Sequence, residues 1–311
     1  MHPAYSVIIF TTASGAGYGL LALLGLVGFN HGPASNFWFG LVSLFIGLAL
    51  VTIGLLSSTL HLGHPERAWR AFSQWRSSWL SREGVAAVLT FVPILAFGVF
   101  WLGIIDRPDL IGPFGLASFI GAGITVFCTA KIYSSLKTIR AWASPFTVPV
   151  YLVYALATGA TLLMAIASAF DRWQPFQAYL AAAVLILTIL LKFLYWRSID
   201  SAERTRTIGD ATGLGRIGAV RQWEVPHTAQ NFVMKEMGYS VARRHAERLR
   251  MIVYALLAAS LVLTLLTLVA LPVFFSILAA LAAFASAIVQ RWLFFAEAQH
   301  VVSLYYGAQK A

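Results

Sequence analysis

The sequence predicts an all-α integral membrane protein, a bundle of eight transmembrane helices. Three observations lead there. Apolar side chains make up 59% of the 311 residues and charged ones only 11%, less than half of the roughly 25% usual in soluble domains. The apolar residues form continuous runs of membrane length, not the alternation of a membrane β-barrel. With eight such runs, the basic residues sort almost wholly to one side of the membrane.

The runs cover 5–29, 36–61, 84–105, 111–133, 147–170, 175–196, 250–270 and 273–296. The first contains Ser14-Gly-Ala-Gly-Tyr-Gly19, small residues that let a second helix approach closely or leave a thin wall for a flat ligand. No strand precedes them, so they are not a nucleotide-binding loop. The second run ends at His61, and the third opens at Val85 after a dense polar stretch. The fourth ends in Lys131-Ile-Tyr-Ser-Ser-Leu-Lys-Thr-Ile-Arg-Ala-Trp142, whose polar groups emerge on the same side as His61. The fifth carries a second small-residue stripe, Leu156-Ala-Thr-Gly-Ala-Thr161.

Met251 to Val289 is almost unbroken apolar sequence. As one helix it would be roughly 58 Å long, against about 30 Å of hydrocarbon. Pro272 therefore marks a break between two helices in a tight hairpin. A single kinked helix is the alternative, and it would flip the C-terminus. The last run ends in Gln290-Arg291-Trp292. Arg291 reads as a side chain snorkelling to the interface, or as a partner for Glu83 or Glu297.

Every lysine and arginine except Arg107 and Arg172 falls on one side of this topology. The positive-inside rule puts that side, both termini and the His61–Glu83 segment in the cytoplasm, at a bacterial inner membrane. The net charge of +10 is thus a topology signal and not a nucleic-acid signal. Met1-His-Pro-Ala-Tyr has neither a basic n-region nor a twin arginine, so no cleaved signal is expected. The chain reads as one transmembrane anchor domain, 1–311, with a long cytoplasmic loop insertion at 197–249.

That loop is longer and more basic than a connection needs. Thr228 is placed to cap a short helix ending near Gly238. The loop reads as a docking surface for a soluble partner, with Arg221, His227 and Lys235 joined by Arg70 and Arg76. A lipid-binding polybasic segment is the alternative.

The polar stretch between the second and third runs carries the chemistry: His61, His64, Glu66, Arg67, Arg70, Gln74, Arg76, Ser78, Ser81, Arg82 and Glu83. A titratable imidazole stands where a membrane-length segment meets water, with guanidiniums just beyond it. A quinone head needs such a group, one that hydrogen-bonds a carbonyl oxygen and exchanges a proton. The bland alternative for His61 is a helix-end histidine satisfied by water and the helix dipole. Gly63 and Pro65 force an irregular turn beside it, which is tolerated at membrane depth only where it is buried or lines a cavity. Arg82 has Glu83 or a partner's carboxylate as candidate partners. Tyr133 reads either as a quinone hydrogen-bonding group or as an interfacial aromatic anchor.

A lone thiol, Cys128, cannot ligate an iron–sulfur cluster, so any cluster belongs to a partner. No histidine lies in mid-span, which disfavours a haem b inside the bundle; a haem near the surface on His61 and His300 stays open. The histidine and cysteine spacings do not suit a four-ligand zinc site, and no metal site is expected.

At His61-Leu-Gly63, Pro65, Arg67-Ala68, Leu80-Ser81 and Glu83 the chain resembles the membrane-anchor subunit family of dimethyl sulfoxide reductase. That family is related in architecture to the polysulfide-reductase anchors. Tyr133, Ser135, Thr138, Trp142 and Arg291 extend the resemblance over the eight-span body. It implies that His61, Gly63 and Arg67 belong to a quinol site, with Glu83 and Tyr133 beside them.

The long 197–249 insertion departs from the reductase anchors. Met1-His-Pro-Ala-Tyr-Ser, Glu224-Val-Pro-His-Thr-Ala-Gln-Asn-Phe-Val and Phe295-Ala-Glu-Ala-Gln-His300 are similar to a subgroup, the anchors of cytoplasm-facing, quinone-linked sulfite dehydrogenases. The expectation is a quinone-reacting anchor, using ubiquinone or menaquinone, with His61 catalytic and Gly63, His64, Arg67, Arg82, Glu83 and Tyr133 around the quinone. A ferredoxin-like subunit with [4Fe–4S] clusters and a molybdopterin subunit oxidising sulfite would be its partners. Reverse flow, from menaquinol to a terminal reductase, is the runner-up. A transporter or a passive tether would belong to other classes.

Overall fold

The computed structural model describes residues 4–32, 34, 36–60, 62–201, 206–224 and 241–306, with only the backbone described at 241–244. His61, His227, Lys235 and the helix expected over 228–238 lie outside the described residues. Among the described residues, eight helices are long and apolar enough to cross a membrane. They are α1 (Tyr5–His31), α2 (Phe37–Ser57), α3 (Trp79–Trp101), α4 (Pro108–Ser134), α5 (Thr147–Ala169), α6 (Pro175–Asp200), α8 (Val241–Leu266) and α9 (Pro272–Ala296); α7 (Ile208–Thr212) is a short surface helix.

Local chemistry sets the boundaries. Asn36 caps α2, its Oδ1 accepting the backbone N–H groups of Trp38 at 2.8 Å and Phe39 at 3.1 Å, two of the donors a helix start leaves unpaired. α3 begins at Trp79 rather than 84, because Trp79-Leu-Ser-Arg-Glu83 already winds as helix. Glu83 is thereby carried one turn inside the span. The break at Pro272 is present: α8 and α9 are separate helices, Pro272 stands at the first helical position, and Leu271 before it has φ 45°. Proline's fixed φ suits that position, and the left-handed Leu271 turns the chain back.

The eight long helices form two groups of four with the same neighbour pattern. In the first, α1 packs on α2 and α4, and α3 packs on α4. In the second, α5 packs on α6 and α9, and α8 packs on α9. The groups meet where α1 lies against α5. The most apolar windows of α1 and α5 are each 83% buried, against 22–39% in the other six, so these two helices are the core.

Glycine makes their contact possible. A Cβ on Gly19 would overlap the Ala155 carbonyl, and one on Gly159 would overlap the Gly19 backbone. Close packing of small residues, the reading shared by both stripes, is realised there.

The described parts of the Ser198–Gly218 stretch, expected as a surface loop, include helix. α6 runs on to Asp200, and Thr207 and Asp210 form a reciprocal capping box at α7. The C-terminal 3-10 helix Val301–Tyr306 straps this region to the bundle. Val301 N–H donates to the Thr138 carbonyl at 3.2 Å, and the Tyr305 hydroxyl donates to the Ala211 carbonyl at 2.9 Å. His300 sits in the strap, its Nδ1 accepting Val302 N–H at 3.0 Å, and burial pushes its pKa below the ordinary histidine value.

If α1 and α5 must touch backbone to backbone, Gly159→Ala lowers the stability of the purified protein by on the order of 1–3 kcal/mol, the cost of overpacking. Gly123→Ala, where a Cβ meets nothing within 4 Å, leaves the thermal midpoint unchanged or slightly raised. Equal midpoints for the two variants would show that the contact is not structural.

Candidate functional site

Beyond α2 the chain forms a 3-10 helix, Pro65–Gln74. Three residues per turn eclipse positions three apart. The helix therefore carries Trp69 and Phe72 in one row, continued by Trp75, beside a second row of Arg67, Arg70 and Ser73, continued by Arg76. All of these side chains are exposed. Arg70 and Arg76 each lie over the ring of the tryptophan before them, at 5.7 and 5.3 Å. His64 Nδ1 is 3.0 Å from Glu66 Oε1, and Arg67 Nε is 3.7 Å from the same oxygen, both in the open. Gly63 is exposed, with nothing where a Cβ would stand.

Arg82 does not pair with Glu83. Its Nε donates to the Trp75 carbonyl at 2.9 Å and its Nη2 to the Arg76 carbonyl at 2.6 Å, while the guanidinium lies 4.3 Å from the Trp79 ring centroid. Arg82 thus clamps the end of the 3-10 segment onto the start of α3.

Glu83, the next residue, points the other way. It is 5% exposed, and its Oε1 accepts a long hydrogen bond, 3.5 Å, from Thr129 Oγ1 on α4. A carboxyl inside a membrane span is expensive and marks function by default.

Past Thr129 a half-open pocket lies at the junction of the two helix groups, its enclosed part large enough for about one water-sized group. α1 contributes Thr12, Ser14 and Gly15, α4 Thr129, α5 Tyr151 and Tyr154, and α9 Arg291. Gly15 of the Ser14–Gly19 stripe lines the pocket, and nothing lies within 4 Å of where its Cβ would stand.

Arg291 does not snorkel. It is 4% exposed, its Cζ sits 3.4 Å from the Tyr151 ring centroid, and no ion pair joins it to Glu83 or Glu297. Glu297 instead pairs with Arg250 Nε at 3.0 Å, while Arg250 Nη1 reaches Asp200 at 2.7 Å.

Tyr133 is not at the interface. It is 8% exposed and touches Trp142, Tyr151, Phe294 and Phe295, with ring centroids 5.2–5.9 Å away. It backs the Tyr151 ring on which Arg291 lies. Trp142 locks this cluster by donating its Nε1–H to the Phe294 carbonyl at 2.7 Å.

Sequence reasoning missed Tyr151, Tyr154 and Lys192. The two tyrosines stand three apart in the fifth span, a spacing that puts both on one face, and that signal was available. Lys192 is fully buried, its Nζ 4.1 and 4.2 Å from the Tyr195 and Trp196 ring centroids. Glu83, Arg291 and Lys192 lie roughly 6, 8 and 12 Å from the ends of their helices, all toward the end of the bundle that carries the basic loops.

The DMSO reductase anchor subunit (DmsC) family matches residues 1–307 of this chain. The chain belongs to that family. It is therefore a multi-pass membrane anchor subunit of an oxidoreductase complex of the DMSO reductase type. A sulfite dehydrogenase subunit of Allochromatium vinosum is 32% identical, over 98% of this chain and 99% of its own length. The anaerobic dimethyl sulfoxide reductase chain YnfH of Escherichia coli is 25% identical over 52% of this chain and 57% of its own. Among the described residues of this anchor, no three histidine, cysteine, aspartate or glutamate side chains gather as a metal site.

The clamp is testable apart from any activity. Arg82→Ala removes both carbonyl contacts, and amide hydrogen exchange across residues 65–78 is expected to rise at least tenfold, with α1 and α5 unchanged. Unaltered exchange there would mean that the segment is held by something other than Arg82.

Proposed function

We propose that this anchor reduces quinone with electrons that a molybdopterin subunit takes from sulfite, passed through the [4Fe–4S] clusters of a ferredoxin-like subunit. The overall step is quinone plus two electrons and two protons to quinol. The observation that carries the quinone reading is Glu83: a buried carboxyl, weakly held by Thr129, between the basic loops and a cavity lined with hydroxyls. A carboxyl so held can give up and regain a proton at little cost to its neighbours.

His61, Gly63, His64, Arg67, Arg82, Glu83 and Tyr133 are the proposed quinone set. Their roles divide. His61 would hydrogen-bond a quinone oxygen and relay protons, and Glu83 would be the buried proton donor. Tyr133 acts through Tyr151, and Arg82 by holding the turn. Arg67 and His64, exposed beside Glu66, give the mouth of the site its charge.

Sulfite as the donor rests on the full-length similarity to a sulfite dehydrogenase subunit. The weaker, half-length similarity to a reductase chain keeps the opposite direction, menaquinol oxidation, as the second reading. The partner would dock on the exposed arginine–tryptophan pairs: Arg70 on Trp69, Arg76 on Trp75 and Arg221 on Trp223. His227 and Lys235 belong to the same proposed surface. Arginine and tryptophan are the side chains that most often dominate binding energy at interfaces. The excess of basic residues at this end supports a cytoplasmic location for it at a bacterial inner membrane, with both termini there.

His61→Ala and Glu83→Gln in the assembled complex are expected to lower quinone reduction by roughly 10²–10⁴, with sulfite oxidation by an artificial acceptor retained. An intact complex with unchanged quinone turnover would remove the altered residue from the mechanism.

A further inference from the structure

Arg291 is an arginine short of acceptors. Among the described residues its Nε and Nη1 have no hydrogen-bond partner, and neither does the hydroxyl of Tyr151 beneath it. A guanidinium stays charged at any physiological pH. Leaving one buried and unpaired in a span is among the most costly arrangements a bundle can hold. The π-face of Tyr151 offsets part of that cost, but a ring offers nothing to the N–H groups in the guanidinium plane.

The walls of the cavity do not supply the missing acceptor. Their hydroxyl protons go to their own helices, Thr12 donating to the Ile8 carbonyl at 2.7 Å, Ser14 to Phe10 at 2.5 Å and Thr158 to Tyr154 at 2.7 Å, and among the described residues none of their oxygens accepts from Arg291 Nε or Nη1. Among the described residues no carboxylate pairs with Arg291, since Glu297 is taken by Arg250 and Glu83 faces Thr129. The cavity therefore offers free donors on one side, from Arg291 and Tyr151, and a bare backbone floor at Gly15 on another. That is a receptor for an acceptor oxygen on a flat, uncharged molecule. A neutral carbonyl fits better than a free anion, because the path in is a membrane interior.

We propose that Arg291 and the Tyr151 hydroxyl bind one carbonyl oxygen of the quinone head, the oxygen entering this pocket and the ring lying across its open side by Gly15. The proposal rests on the quinone-reacting reading above and deepens it, because nothing in that reading assigns Arg291 or Tyr151 a contact. As the ring takes two electrons from the partner's cluster, negative charge grows on that oxygen and Arg291 holds it. The two protons arrive from the other side, where Glu83 stands behind Thr129, and the quinol leaves neutral. Arg291 is thus a binding residue for the developing charge, not a proton donor.

The test uses the purified complex in lipid nanodiscs with ubiquinone-1 as probe. It measures KM and kcat for ubiquinone-1 reduction, equilibrium retention of radiolabelled ubiquinone-1, and sulfite oxidation by an artificial acceptor. Arg291→Met is expected to raise KM and weaken retention roughly ten- to a hundredfold, the range for losing a hydrogen bond to a charged group. Arg291→Lys is expected to fall between Met and wild type. Tyr151→Phe, which removes one oxygen and keeps the ring, is expected to raise KM about two- to tenfold. Gly15→Leu, which fills the cavity, is expected to abolish retention. Sulfite oxidation by the artificial acceptor should be unchanged throughout.

Unchanged KM and retention in an assembled Arg291→Met complex would overturn the proposal. Should that variant fail to assemble, unchanged values in both Tyr151→Phe and Gly15→Leu would overturn it equally, leaving the cavity to water. An inert His61→Ala alongside a defective Arg291→Met would refute the role of His61 and support that of Arg291. A wild-type complex that neither retains nor reduces ubiquinone-1 would overturn both.

Discussion

α1 and α5 touch backbone to backbone, and the rest of the bundle is arranged by that contact. It exists because Gly19 and Gly159 leave no side chain between them. With no hydrophobic drive between helices in lipid, such close packing is a main source of association. The contact fixes how the two groups of four helices face each other. It also fixes which turns of α1 and α5 lie one step toward the basic end, where the helices part enough to leave a cavity. Thr12, Ser14 and Gly15 are on one wall and Tyr151 and Tyr154 on the other because Gly19 and Gly159 set the register.

The buried charges are each handled differently, and the differences sort structure from function. Arg250 is met by two carboxylates, Glu297 and Asp200, and ties α6, α8 and the end of α9 together. Among the described residues Lys192 meets ring faces, those of Tyr195 and Trp196, and no hydrogen-bond partner. Glu83 has one long hydrogen bond. Arg291 has a ring face and open N–H groups. A group that is fully satisfied holds a fold together, and one that is left short is poised for something that arrives later. Arg250 is thus a fastener, while Arg291, which lines the cavity, and Glu83, behind Thr129, are the groups we propose to act on quinone.

The fold was legible because its strongest signals are physical lengths. Eight apolar runs, the one-sided arginines and lysines, and a proline within an impossibly long run were enough to expect eight helices and the hairpin at Pro272. The site was legible only in part. His64, Arg67 and Glu83 are neighbours in sequence, yet the irregular turn sends the first two to solvent and the third inward; sequence order says nothing of that divergence. In the sequence Arg82 is a charge in search of a carboxylate, whereas its fork finds two carbonyls at the end of a 3-10 helix that a polar stretch does not announce. Arg291 has the look of a snorkelling end-of-helix cation. Its burial depends on Tyr151, some 140 residues earlier in the chain, and only the packing of α5 on α9 brings the two together.

We place the quinone head at the junction of the two helix groups at the basic end, between Glu83 and Arg291. An experimental structure of the complete complex prepared with bound quinone tests it most directly. The account expects a planar ring beside Gly15 with one oxygen within hydrogen-bond distance of Arg291, on the same side of the membrane as the partner's clusters. A ring bound elsewhere with this cavity closed around water, or metal-bearing subunits on the opposite face, would contradict it.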